Sequence, residues 1–121
     1  MALGKVLGDF SNKITSVAYT EDGAVYISLD GTASGYGTVL GTLILRGEPG
    51  ATSGAATWIG EGFLDDGSIV RGKGQGTFEE VGKHQWRTRL LITLSNGDIL
   101  ASDGKIDLAT RTLSGKNLAW D

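Results

Sequence analysis

The chain contains no cysteine and only one histidine, His84. Without cysteine it can form neither disulfide bonds nor thiolate metal sites. A single imidazole also excludes a metal site built from several histidines of one subunit. The sequence therefore predicts no bound metal, and nothing in it indicates a cofactor.

Long apolar runs and a strong net charge are also missing. No run approaches the ~20 apolar residues that a membrane-spanning helix requires, and the start, Met1-Ala2-Leu3-Gly4-Lys5, lacks the charged-then-apolar order of a signal peptide. The net charge is −3, with 11 basic and 14 acidic side chains spread along the chain. Such a balance does not favour nucleic acid or an anionic membrane as a partner. We expect a cytoplasmic protein that binds neither.

Proline occurs only once, at Pro49, whereas glycine accounts for 20 of the 121 residues, well above the average of ~7%. The remaining composition, 40% hydrophobic and 21% charged, is that of a globular protein, and a chain of this length fits one hydrophobic core. We therefore predict a single domain over residues 1–121. The excess of glycine requires a structural explanation.

Glycine recurs between segments in which apolar and polar residues alternate. Four acid-x-Gly segments fit three-residue hairpin loops with glycine in the left-handed conformation, and Asn96-Gly97 fits a two-residue loop. Strands that flank such loops pair antiparallel with their sequence neighbours. The four segments are Glu21-Asp22-Gly23, Glu48-Pro49-Gly50, Asp65-Asp66-Gly67 and Glu80-Val81-Gly82.

Alternation of apolar and polar residues predicts nine strands and no helix. Several strands are about 12 residues long, which suits the tilted strands of a barrel. We predict an all-β fold, an antiparallel up-and-down meander β-barrel of about eight or nine strands, with a two-sheet β-sandwich as the alternative. The predicted strands run over residues 4–10, 13–20, 24–33, 35–47, 51–64, 68–79, 83–95, 98–107 and 111–120.

Loop lengths determine which residues lie opposite each other. In the predicted hairpins Trp58 lies opposite Gly74, and Trp86 lies opposite Gly76. A ring opposite a glycine covers bare backbone. The alternative for Gly72-x-Gly74-x-Gly76 is a phosphate-binding loop, which is disfavoured because the chain continues into a strand instead of a helix.

The predicted register divides the strands into two faces. The inner face alternates large and small side chains, as a barrel interior requires. The outer face carries an apolar strip, which predicts a partner surface and hence a homo-oligomer; cover by a second sheet or by the N-terminal strand is the alternative. The inner face comprises Tyr36, Leu40, Ile44, Trp58, Phe78, Trp86, Leu90 and Ile92, and the apolar strip comprises Val39, Leu43, Leu45, Ile59, Phe63, Ile69 and Leu91.

Polar residues enter the inner face in the C-terminal hairpins. A two-residue loop at Asn96-Gly97 places Asp103 opposite Leu90, and the next turn places Lys116 opposite Asp103; a one-residue bulge would turn this set outward. Aromatic walls with a few polar groups favour a ligand pocket at a barrel mouth, although Asp103 and Lys116 also fit an ordinary ion pair. The candidate ligand-binding residues are Tyr36, Trp58, His84, Trp86, Thr88, Asp103, Lys105 and Lys116.

The sequence contains no recognisable catalytic constellation. His84 lies between Lys83 and Gln85, and no glycine-flanked serine elbow accompanies it. Its imidazole fits either a general acid or base or, more simply, a half-exposed residue beside a loop. We therefore assign no catalytic residue.

Glycine alternates with other residues in the strands over residues 35–80, which include the segment from Asp66-Gly67-Ser68 to Gly76-Thr77-Phe78. These strands resemble those of small bacterial barrels of unknown function that are similar to the allene oxide cyclase and calycin barrels. Compared with lipocalins, Gly8-Asp9-Phe10 stands where a Gly-x-Trp motif is expected. The resemblance implies a barrel that holds a small hydrophobic molecule or cyclises one without a cofactor.

Three functions follow as hypotheses. The first is binding of a small hydrophobic or amphipathic ligand inside the barrel. The second is a cofactor-free isomerase or cyclase, in which Asp103, Lys116 or His84 would transfer protons beside an apolar pocket. The third is a homo-oligomeric structural module. An interior packed solid would exclude the first, and the second requires a buried titratable group beside empty volume.

We expect the protein to sediment as a homo-oligomer at micromolar concentration, because soluble monomers keep exposed apolar strips small. Sedimentation velocity measures this directly. A strict monomer would contradict the predicted interface.

Overall fold

The computed structural model describes residues 3–48 and 50–120, and all of the regular structure in those residues is β. In that part of the chain, no helix is long and apolar enough to cross a membrane. The eight strands are β1 (Leu3–Tyr19), β2 (Ala24–Ala33), β3 (Gly37–Arg46), β4 (Ser53–Phe63), β5 (Ile69–Gly82), β6 (Gln85–Leu94), β7 (Ile99–Asp107) and β8 (Thr112–Trp120).

Each strand pairs antiparallel with the next, and β8 pairs with β1, so the sheet closes into a meander barrel. This confirms the predicted fold class and its closed form. The predicted strands 4–10 and 13–20 are one strand, because Ser11 and Asn12 pair with both β2 and β8 without interruption. The barrel therefore has eight strands.

The pairing is strongly staggered around the barrel. A circuit around the barrel follows the paired residues from each strand to the next. It starts at Val17 of β1 and reaches Ala119 of β8. Ala119 lies between the β8 partners of Leu3 and Val6, so the circuit returns to β1 more than ten residues before its start. A large stagger tilts the strands and widens the barrel, and an eight-stranded barrel then has room for one small ligand.

Two of the predicted hairpin registers are confirmed. Tyr19 lies opposite Val25, and Trp58 lies opposite Gly74. Both follow from three-residue turns that end in a left-handed glycine, with φ of +88° at Gly23 and +90° at Gly67.

The β5–β6 register differs from the prediction. The turn is Lys83-His84, with His84 in the left-handed conformation, and Gly82 pairs with Gln85. Trp86 therefore lies opposite Glu80 instead of Gly76. The partner of Gly76 shifts by four residues, to Leu90, and an even shift leaves the predicted inner face of β6 unchanged.

The β3–β4 register also differs, and here the two faces exchange. The predicted turn at 48–50 includes Pro49, which lies outside the described residues. Trp58 pairs with Leu43 instead of Leu40, a shift of three residues, and an odd shift turns every side chain of the strand to the opposite face. The structure therefore has Val39, Leu43 and Leu45 inside the barrel and Leu40 and Ile44 on its outer face.

The β6–β7 loop has three residues, Ser95-Asn96-Gly97, instead of the predicted two. The N–H of Leu94 donates to the carbonyl oxygen of Asp98 at 2.9 Å, and Gly97 takes the left-handed position with φ +95°. Ser102 therefore lies opposite Leu90, where Asp103 was predicted. This one-residue difference in loop length turns Asp103 and Lys105 of β7, which were predicted to point into the barrel, to the outer face.

Glycine leaves space inside the barrel for the ring of Trp58. A Cβ atom on Gly41 or Gly60 would collide with that ring, and a Cβ on Gly76 would collide with the carbonyl oxygen of Arg89 on the neighbouring strand. Glycine in a strand permits this close approach of ring or backbone. The glycines at these inward positions are thus required by the packing of Trp58 and by the close approach of β5 to β6.

The two ends of the barrel are filled differently. We call the end with the turns at residues 20–23 and 83–84 the closed end, and the end with the turns at 34–36, 64–68 and 95–98 the open end. Near the closed end the buried core includes Ile27, Phe78 and Ile106, and Trp86 packs against it. The remaining volume lies toward the open end.

Gly76→Ala should lower the free energy of unfolding by about 1–3 kcal/mol, because the added methyl group overlaps a backbone oxygen that cannot rotate away. Urea unfolding of both proteins measures the difference. Thr77→Ala, at the next and exposed position, serves as the control. Equal stability of Gly76→Ala and the wild type would contradict the close approach of β5 and β6.

Candidate ligand-binding cavity

The half of the barrel near the open end contains a cavity of about 80 Å³. Every strand contributes to its wall. A volume of this size exceeds the ~10–15 Å³ that one water molecule needs and is about half of the ~150 Å³ that holds benzene. It can therefore accommodate several waters or part of a small organic molecule.

One wall of the cavity is apolar and is shaped by glycine. Trp58 forms its base, and Gly60 and Gly72 beside the ring carry no side chain that would fill the space. A Cβ on Gly72 would lie 2.9 Å from Cδ2 of Leu94 and 3.4 Å from Cγ2 of Ile92. Part of the cavity thus exists because glycine occupies inward positions of β4 and β5.

The wall formed by β6, β7, β8 and β1 carries four buried polar residues among apolar ones that include Phe10, Leu100 and Leu113. It combines a threonine of β6, a serine of β7 and asparagines of β8 and β1, which are consecutive strands in the closed barrel. Ser102 and Asn117 lie directly opposite each other. The four residues, with their exposed fractions, are Thr88 (1%), Ser102 (7%), Asn117 (8%) and Asn12 (4%).

Asn12 has an unusual hydrogen-bonding state. Its Oδ1 atom is buried and has no hydrogen-bond partner among the described residues. An unsatisfied buried polar atom of this kind costs about 1–3 kcal/mol.

Sequence reasoning identified Thr88 on this wall but missed Asn12, Ser102 and Asn117. One signal was available: Asn12 alternates with the apolar residues Phe10 and Ile14, although it falls between the predicted strands 4–10 and 13–20. The division of β1 into two strands at this point hid that pattern.

Tyr36 lies at the open end, in the turn between β2 and β3. It is flanked by Gly35 and Gly37, whose φ angles of +85° and +71° suit only glycine without strain. Burial raises the pKa of the Tyr36 phenol, and the negative charge of Asp98 in the β6–β7 turn raises it further. Tyr36 is therefore a neutral hydrogen-bonding group at the mouth of the cavity.

The structure places the other predicted aromatic and imidazole residues differently. Tyr36, Trp58 and Thr88 line the cavity together. Trp86 is inside the barrel but packs against the core near the closed end. His84 is exposed in the β5–β6 turn at that same end, so its predicted position on a strand is wrong.

The predicted inward position of Asp103, Lys105 and Lys116 is wrong, because the three-residue β6–β7 loop places them on the outer face. Asp103 accepts two hydrogen bonds from Arg87, at 3.0 and 2.7 Å. Lys116 is paired in register with Asp103 but donates to Asp9 at 2.9 Å. The alternative of an Asp103–Lys116 ion pair is therefore not realised.

The hydrogen bonds from Arg87 lower the pKa of Asp103; partial burial of the carboxyl opposes this effect, and the charges of Arg87 and Arg89 add to it. The two side chains of the pair keep 41% and 39% of their surface exposed. An ion pair this accessible to solvent contributes at most about 1 kcal/mol. It belongs to the outer surface of the sheet and not to the cavity.

Comparisons with protein families, curated proteins and solved structures found no match to this chain. What the chain shares with the small barrels named above is the closed antiparallel architecture. The finer resemblance to the allene oxide cyclase and calycin barrels has no support beyond that architecture.

A double-mutant cycle of Asp103→Asn and Arg87→Met should give a coupling free energy of at most about 1 kcal/mol at pH 7. Because the carboxyl pKa is lower in the folded than in the unfolded state, the coupling is fully present above the unfolded value of about 3.9 and is lost as the pH falls through the folded value. Urea unfolding at several pH values between 2.5 and 7 measures it. A coupling that persists at the lowest pH would contradict the ion pair.

Proposed function

We propose that this barrel binds a small hydrophobic or amphipathic molecule in the cavity near its open end. The observation that supports this most directly is that the cavity is lined mainly by apolar side chains around Trp58 and also by four buried polar residues on β6, β7, β8 and β1. Ligand pockets combine apolar surface with a few placed polar groups in this way, and they often open at barrel mouths.

The size of the cavity limits the ligand. Drug-sized ligands occupy pockets of ~300–1,000 Å³, whereas this cavity has about 80 Å³. Tyr36 and Leu94 lie at its open side, where a ligand can extend between largely apolar side chains. A short chain or a small ring fits this shape better than a long fatty acid enclosed along its full length.

The cyclase hypothesis is less well supported by the structure. Its three candidate groups for proton transfer are His84 in an exposed turn and Asp103 and Lys116 on the outer face. None of the three lines the cavity, so they cannot reach a substrate bound there. We therefore propose binding alone.

Self-association and a cytoplasmic location stay predictions. The apolar strip from which self-association was predicted is smaller than expected, because its three β3 residues lie inside the barrel. Ile59, Ile69 and Leu91 of the strip remain exposed, together with Leu40.

Gly72→Leu should fill the cavity and weaken binding of 1-pentanol at least about ten-fold, a loss of ~1.4 kcal/mol. The atoms that the new side chain meets first belong to Leu94 and Ile92 and can rotate away, so the barrel should still fold. Intrinsic tryptophan fluorescence, to which Trp58 beside the cavity contributes, measures binding during the titration, and circular dichroism checks the fold.

Lys73→Leu is the matched control, since it places the same side chain on the exposed face of β5 and should leave binding unchanged. The proposal would be wrong if the wild type showed no binding of 1-pentanol or of its isomer butyl methyl ether, or if Gly72→Leu bound both as well as the wild type.

A further inference from the structure

We propose that Asp98 is a specificity-determining residue at the mouth of the cavity. Its carboxylate, together with a cavity lining that carries no positive side chain, selects uncharged ligands against anionic ligands of the same shape. This proposal rests on the proposed function and adds to it the charge of the ligand. It depends on the lining of the cavity, on the register position of Asp98 and on the charges around the mouth.

The cavity offers no counter-charge to an anion. Its lining, among the residues that the structure describes, includes no lysine, arginine or histidine and one acidic residue, Glu61. The carboxylate of Glu61 lies 3.0 Å from Nε of Arg71, and both side chains are exposed on the outer face. A carboxylate drawn into the cavity would lose its water without gaining a cation, which is strongly unfavourable. An anionic ligand could keep its hydration only by leaving its charged group at the mouth.

Asp98 occupies an inward register position at that mouth. The N–H of Leu94, which lines the cavity, donates to the carbonyl oxygen of Asp98 at 2.9 Å, so the two residues lie opposite each other where the β6–β7 loop closes. Side chains alternate between the two faces of a strand. Leu100 lines the cavity and Ile99 is exposed, so Asp98 falls on the face of Leu100. The carboxylate itself is exposed to solvent and accepts from Nδ2 of Asn96 at 3.2 Å.

The charge of Asp98 reaches the wall of the cavity. Tyr36, in the β2–β3 turn, lines the cavity. Burial raises the pKa of its phenol most, and the negative charge of Asp98 raises it further. An anionic group at the mouth would experience the same repulsion, whereas a neutral polar group would not.

The turns around the mouth carry charge of one sign. The three turns of the open end contain Asp65, Asp66 and Asp98 but no lysine, arginine or histidine. Asp65 and Asp66 line a surface groove together with the turn that holds Tyr36. Lys5, near the start of β1, lines neither this groove nor the cavity. The potential at the entrance therefore opposes anions such as fatty acids and leaves neutral molecules unaffected.

The test compares pentanamide with pentanoate, which have the same number of heavy atoms and differ in charge at pH 7. Both are titrated into the full-length protein in about 10 mM salt, where the Debye length is ~30 Å. Wild type should bind the amide at least about ten-fold more tightly, because the anion loses water without gaining a counter-charge. In Asp98→Asn this preference should fall about two- to five-fold, the scale of one exposed charge interaction.

Asp30→Asn is the matched control. It makes the same replacement at an exposed position on the outer face of β2, opposite Leu40, and should keep the wild-type preference. Salt gives a second readout. In about 1 M NaCl the Debye length is only ~3 Å, so the preference of the wild type should fall toward that of Asp98→Asn.

Intrinsic tryptophan fluorescence gives the affinities, and thermal unfolding verifies that the variants fold. If the wild type binds 1-pentanol but shows no preference for the amide over the anion, the charge selectivity is overturned and the proposed function stands. An unchanged preference in Asp98→Asn would overturn the role of Asp98. If Asp98→Asn does not fold, Asp98→Ser with the same two ligands decides, with the same outcomes. Binding of none of the three molecules to the wild type would instead contradict the proposed function.

Discussion

Closure of eight strands with a large stagger is the constraint on which the rest of the structure depends. It removes every free sheet edge along the paired parts of the strands and encloses an interior that side chains must fill from all sides. Glycine and large rings solve this problem together. Where Trp58 lies across the interior, Gly41 and Gly60 must be without side chains, so these two glycines and the ring of Trp58 are two parts of one packing solution.

This solution is complete at one end only. Near the closed end the core residues and Trp86 fill the barrel, whereas near the open end glycines on β4 and β5 face polar side chains on the opposite wall. Apolar cores exclude unpaired polar atoms because each costs free energy. The buried amide of Asn12 therefore sets this half of the molecule apart, because its Oδ1 atom has no hydrogen-bond partner among the described residues.

The charged residues belong to the outer surface. Pairs such as Arg87 with Asp103 and Arg71 with Glu61 join neighbouring strands on the solvent side, where they contribute little to stability but hold long side chains flat against the sheet. Chemistry at neutral pH would require titratable groups beside the cavity, and the outward orientation of these residues separates charge from the interior.

The sequence by itself determined the strands, their antiparallel order and most of the turns, because period-two alternation and left-handed glycines such as Gly23 and Gly67 are local signals. It also placed Tyr36, Trp58 and Thr88 inside the barrel: Thr88 keeps that orientation because the β5–β6 register shift is even, and Tyr36 because it lies in the β2–β3 turn, outside the exchanged faces of β3. Only the tertiary structure decided which face of β3 and β7 points inward. Side chains alternate with a period of two, so one extra residue at Ser95-Asn96-Gly97 reverses a whole strand, and no local pattern reports that the barrel closes with Asn12 inside.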